Sequence, residues 1–136
     1  MSTKFEEKEK KIQQIMVKLT EESAKGKLIV VEGKKDEIAL QELGVNGKFL
    51  TVKTGGKSFL QATEEIEKIA ATEVVLFLDF DRRGKEGTHR LKQNLERAKI
   101  KAETQLWRDL EALVGRNISS IESLPSYLNT LQEKVT

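Results

Sequence analysis

At 136 residues the chain is long enough to bury a proper core as one domain, and the absence of cysteine excludes disulfides and thiolate zinc sites. No apolar run approaches the roughly 18 residues of a membrane span, and the opening "MSTKFEEKEKK" is too charged for a signal-peptide core, so a cytoplasmic setting without membrane is expected. With 24 basic and 22 acidic side chains the net charge is only +2, so charge argues for nucleic acid only through where it is placed.

The first element reads as a helix from Thr3 to Ala24, with Phe5, Ile12, Ile15, Met16 and Leu19 forming one apolar stripe and Gly26 ending it. "KLIVVEG" gives a first strand, Leu28–Val31. A helix from Lys35 to Leu43 follows, with Ile38, Leu40 and Leu43 expected inward, and then a second strand, Phe49–Val52, running into a glycine turn. Ser58 to Ala71 reads as helical, with Phe59, Leu60, Ile66, Ile69 and Ala70 on its buried side. "EVVLFLDFD" is the third strand, and being the most apolar it is expected to be central. A helix from Arg83 or Gly84 to Lys99 carries Leu91, Leu95 and Ala98; "AETQLW" reads as a short fourth strand with Trp107 at its end. A short helix over Asp109–Val114 and a last helix beyond Ser123, with Pro125 in its first turn, close the chain.

Strands alternating with helices predict an α/β fold: about four mostly parallel strands flanked by helices, joined by right-handed crossovers. The expected division is an N-terminal amphipathic helix over 1–26 packed on the domain, a core over 27–107 and a helical tail over 108–136. The amphipathic helix also offers a surface for a partner or a second copy, so a homodimer or a place in a processing complex is open. The lysine- and glutamate-rich composition, 34% charged with one proline, suits a protein from a hot environment and an ordinary helix-rich protein alike.

In an open parallel sheet, ligands bind outside the carboxyl ends of the strands. Here the first strand ends on Glu32, just ahead of Gly33, and the third on Asp79 and Asp81. Clustered carboxylates resist ionising unless something positive sits among them, and a hard divalent cation that takes oxygen ligands is the economical answer. Asp79 and Asp81, two residues apart on extended backbone, point to one side and can share the metal, with Glu32 opposite as a ligand or proton-transfer group. The competing structural role is capping: Asp81 for the helix near Gly84, and Asp36 and Glu37 at the positive end of the helix after Gly33.

"LIVVEGKKD" followed far downstream by "VLFLDFDRRG" resembles the Toprim domain, the module of topoisomerases, bacterial-type primases, OLD-type nucleases and small ribosomal-RNA maturation nucleases. The resemblance covers Lys27 to Trp107, and "WRDLEALVGRNI" looks, more loosely, like the segment that follows in archaeal primase-like members. It implies a compact Rossmann-like fold, Mg²⁺ or Mn²⁺ at Asp79, Asp81 and Glu32, Glu32 as the catalytic proton-transfer group, and Gly33, Asp36 and Gly84 in support. Many topoisomerases carry a third aspartate where this chain has Arg83, and Tyr127 is the only tyrosine, so strand passage is not expected. Nor are the zinc-binding and helicase-docking parts of bacterial primases present.

From Asp79 to Lys101 eight basic residues stand against four acids. Arg82 and Arg83 among them, together with Lys34, Lys35 and Lys57, are expected at the mouth of the acidic cluster, where with Lys85 they can hold the phosphates of RNA or DNA; Lys53 and Lys57 flank the glycine turn. "TGGKSF" is not a complete nucleotide-binding loop, because Thr51 stands where that signature needs glycine; Gly55 and Gly56 remain candidates for a phosphate contact. His89 is expected to face solvent, and Trp107 to serve the core before any stacking role. The expected function is a Mg²⁺-dependent nucleic-acid module that binds and cleaves phosphodiesters. A catalytically weak adaptor in a processing complex is the second reading. A phosphatase of the Asp-x-Asp type is a third, disfavoured because Arg83 replaces that family's Thr or Val.

Overall fold

The computed structural model describes residues 3–52, 58–69 and 72–135. The expected glycine turn (Lys53, Gly55, Gly56, Lys57) and the expected end of the third helix (Ala70, Ala71) lie outside the described residues.

Six α-helices surround a four-stranded sheet: α1 (Lys4–Ala24), β1 (Leu28–Val31), α2 (Lys34–Glu42), β2 (Phe49–Thr51), α3 (Phe59–Lys68), β3 (Glu73–Leu76), α4 (Arg82–Arg97), β4 (Lys101–Glu103), α5 (Gln105–Val114) and α6 (Leu124–Val135). A 3₁₀ turn, Ile121–Ser123, leads into α6. All strand pairs are parallel and the spatial order is β2-β1-β3-β4. From β1 the chain moves outward to β2, then crosses back to β3 on β1's other side. The order therefore reverses between β1 and β3, and the crevice of a doubly wound sheet opens at their carboxyl ends.

The period of two along the central strands divides the core into two layers. Leu28, Val30, Val74, Leu76 and Leu78 face α3 and α4, packing with Ala62, Ile66, Leu91 and Leu95. Ile29, Val31, Val75 and Phe77 face the other way, toward Ile12, Leu19, Leu40, Leu110, Leu124 and Leu128 of α1, α2, α5 and α6. Helix α1 lies against α5 and α6, so the two ends of the chain build one layer together. Its start is set by Thr3, whose hydroxyl accepts from the Glu6 N–H while the Glu6 carboxylate accepts from the Thr3 N–H.

Four expectations change. Ile38 is exposed and α2 turns Ala39 and Leu40 inward instead. On α3, Leu60 (62% exposed) and Ile69 face out, while Ala62, Thr63 and Ile66 are buried. Phe5 is exposed, with Lys134 over its ring. The fourth strand ends at Glu103: a Glu103 carboxylate oxygen accepts from the Gln105 and Leu106 N–H groups and starts α5 there, so buried Trp107 belongs to a helix.

Candidate metal centre and nucleic-acid interface

Beyond its last ladder residue β3 stays extended, and the Phe77 N–H donates to Val30 O at 2.8 Å. That register carries Asp79 alongside the end of β1, where its N–H donates to Glu32 Oε2 at 3.1 Å. The two acids that the sequence separates by 47 positions thus meet at the topological switch point. Both are buried, Glu32 at 4% exposure and Asp79 at 9%.

Burial is the main force on Asp79. It raises the carboxyl from its ordinary 3.8 to about 8, helped by the hydrogen bond to the Glu32 side chain and the charges of Asp36 and Glu32, and opposed by a donor from Ile121. At neutral pH the pair therefore holds a proton or calls for a cation. Asp36, 6% exposed, is the third acid of the group. Its Oδ2 accepts from the Gly33 N–H at 3.0 Å and its Oδ1 from the Glu122 N–H at 3.0 Å. Burial holds its pKa above the usual value, with those two donors pulling it back.

Asp81 does something else. Its carboxylate accepts from the Gly84 N–H at 2.7 Å and caps α4, and the residue is exposed. Among the described residues no three of His, Cys, Asp or Glu are grouped to hold a metal. The structure brings Glu32, Asp79 and Asp36 together and leaves Asp81 one step outside. Gly84 is required by packing: a Cβ there would sit 2.2 Å from the Asp79 carbonyl oxygen, so the tight approach of α4 to the β3 end needs a residue without a side chain.

The tail supplies what the sequence did not reveal. Ile121 N–H donates to Asp79 Oδ1 at 3.0 Å, Glu122 N–H reaches Asp36, and Ser119 O accepts from the Phe80 N–H at 2.8 Å. Trp107 Nε1 donates to Leu78 O at 2.7 Å, and its ring packs on Phe80. The 119–122 segment and α5 thus hold the acidic edge from behind. Backbone donors have no signature in a sequence.

Of the expected phosphate contacts, Lys34 pairs with Glu37, Arg82 with Glu86, and Lys85 with Glu111, while Lys35 and Arg83 are exposed and make no ion pair among the described residues. Lys57, Gly55 and Gly56 lie outside the described residues. A groove of about 440 Å³ between α3 and α4 is lined by Glu32, Val52, Phe59, Leu60, Arg83, Arg90 and Asn94, with Ser58 at its edge. Arg90 and Asn94 are groove residues beyond those the sequence motifs mark. Their signal was the spacing of seven and eleven residues from Arg83, which keeps all three on one helix face. A larger cleft of about 730 Å³, lined by Lys35, Ile38, Glu122 and Tyr127, includes neither Glu32 nor Asp79, so size does not mark the site. His89 is exposed, as expected.

An acid pair at the switch point of a 2-1-3-4 sheet is the geometry that the Glu-Gly and Asp-x-Asp motifs anticipated, and the family model of the Toprim domain matches residues 26–104. The chain belongs to the Toprim family. Its relatives include a UPF0292 protein of Methanosarcina acetivorans, 32% identical over 91% of this chain and 84% of that one. Another is a UPF0292 protein of Methanocaldococcus jannaschii, 37% identical over 78% of this chain and 81% of that one. A solved structure of a protein from Aquifex aeolicus shares the fold, with a TM-score of 0.64 over 81% of this chain and 94% of that one at 23% identity. The Toprim span ends just before α5, so the donors from Ile121 and Glu122 come from outside it. Among the described residues no helix is long and apolar enough to cross a membrane.

The donor set suits the divalent ion associated with Toprim domains. Glu32 and Asp79 are hard oxygen ligands whose mutual repulsion a cation relieves, and Mg²⁺ commonly takes only one or two protein carboxylates, completing its shell with water and phosphate.

Proposed function

We propose that the chain is a Mg²⁺-dependent nucleic-acid-processing module that binds and cleaves RNA or DNA phosphodiesters. The observation that carries this reading is the meeting of buried Glu32 and Asp79 at the mouth of a groove walled by Arg83 and Arg90. Bound there, Mg²⁺ would neutralise charge on the phosphoryl oxygens and acidify a water. Asp79 and Glu32 are the residues to hold it, with Asp81 joining through an oxygen that the helix cap leaves over. Glu32 also stands where it can move a proton at the reacting oxygen. Arg83 and Lys35 hold phosphates without reading sequence; Lys34, Arg82 and Lys85 join them on exchanging their surface ion pairs, which are weak.

The test is hydrolysis of structured and single-stranded RNA and DNA with Mg²⁺, with Mn²⁺ and in chelator, beside Glu32→Gln and Asp79→Asn. Metal-dependent turnover that both variants abolish is expected. Turnover untouched by either variant would remove the assignment. The adaptor reading rests on the turning of Asp81 into a helix cap, which leaves two carboxylates at the centre. Tight nucleic-acid binding without turnover in any metal would favour it.

A further inference from the structure

We propose that the α3–α4 groove takes a single-stranded segment of nucleic acid, with phosphates on Arg83 and Arg90 and an unpaired base against Phe59 and Leu60. This deepens the preceding reading by naming the form of its substrate, and rests on it only for what happens at Glu32.

The two walls differ in chemistry. On α4, Arg83, Arg90 and Asn94 share one face, and the arginines stand about 10 Å apart along the helix axis. That spacing lets them reach separate phosphates of one strand. Among these α4 cations, all of them exposed, Arg82 and Lys85 are engaged by Glu86 and Glu111, whereas Arg83 and Arg90 have no ion pair among the described residues. The side-chain amide of Asn94 offers both a donor and an acceptor to a base edge.

The facing wall is apolar. Leu60 is 62% exposed beside Phe59 at the start of α3. A large side chain turned outward in the first turn of α3 has no use in the core, but suits the face of a base. Depth is limited at Gly87, where a Cβ would lie 2.5 Å from Phe59 Cζ, so the helices touch and close the bottom of the groove. What remains has the volume of a small-ligand site, enough for a splayed nucleotide. A duplex, with its bases stacked inside, can present only its backbone here and gains nothing from Leu60. Glu32 lines the same groove, which places one acid of the pair beside the strand.

The experiment is fluorescence anisotropy in chelator, with a short oligouridylate, the matching oligothymidylate and a blunt duplex of equal length, at fixed salt. Single strands are expected to bind at least about tenfold more tightly than duplex, and Leu60→Ser to lower single-strand affinity severalfold with the duplex unchanged. Arg90→Ala is expected to weaken single-strand binding by about fivefold and to flatten its salt dependence. Both residues are exposed, so thermal unfolding should match wild type and confirm that the fold is kept. The RNA and DNA strands report which sugar is preferred. Duplex binding as tight as single-strand binding, or wild-type affinity in both variants, overturns the proposal. Failure here with Mg²⁺-dependent turnover intact rejects only this path for the strand; turnover indifferent to Glu32→Gln rejects only the function proposed above.

Discussion

Replacing Asp79 by asparagine keeps the side chain's shape and an oxygen for the Ile121 N–H, while removing the charge next to Glu32. In the wild-type fold the Asp79 carboxyl is raised to about 8, from 3.8 in an ordinary setting, first by burial and then by Glu32. The native state thus holds a proton that the unfolded chain has released. Stability from this group is complete below about pH 4 and is lost as pH rises toward 8, the opposite of a salt-bridged aspartate. Three pH units at about 1.4 kcal/mol each set a ceiling of about 4 kcal/mol between pH 5 and 8, and sharing of the charge with Glu32 brings the expected loss to about 2 kcal/mol. Denaturant unfolding in chelator at both pH values should show this loss in wild type and a flat profile in Asp79→Asn, which becomes the more stable protein at pH 8. Adding Mg²⁺ at pH 8 should restore wild type and leave the variant unmoved. A wild-type profile that is flat, or a variant less stable at pH 8, would refute the argument.

The cap and metal roles of Asp81 separate by substitution: Asp81→Asn should keep stability, because asparagine caps as well, and lower Mg²⁺-dependent turnover, while Asp81→Ala loses turnover and also about 1 kcal/mol in a denaturant melt. Gly84→Ala should destabilise by about 2 kcal/mol or more, since its Cβ would meet backbone that cannot yield, and should reduce turnover by displacing Asp79; unfolding and activity assays on one preparation check both. Trp107→Phe leaves the Leu78 carbonyl without its donor and should cost about 1–3 kcal/mol in the same melt.

Much of the fold is legible because the sheet is buried on both faces. Leu28–Val31 could be bounded by eye, and the period of two in "VVLFL" also sorts the two core layers. The α2 and α3 faces depart from the sequence expectation for one reason: bulk is not what points inward there. These helices instead turn Ala39 and Ala62 to the sheet and leave Ile38 and Leu60 outside. The fourth strand ends earlier than the sequence suggests because α5 starts from the N-cap position Thr104, whose side chain makes no cap hydrogen bond while the Glu103 carboxylate accepts the first amides instead. At the site, the pairing of Glu32 with Asp79 follows from where the strands end. The capping role of Asp81 was the structural alternative that the sequence already offered. The support from Ile121 and Glu122 could not be read, since main-chain amides look alike in every residue but proline.

That support has a consequence for how the protein is made and how it can be cut. A ribosome releases Asp36 and Asp79 well before the amides that donate to their oxygens, so the acidic edge is completed only after Ile121 and Glu122 have emerged. A fragment trimmed at the family boundary would retain every motif residue yet take an amide donor from each of two buried carboxylates. Grafting experiments on this module should therefore carry the stretch through α6, or they will test a centre that has lost its back wall.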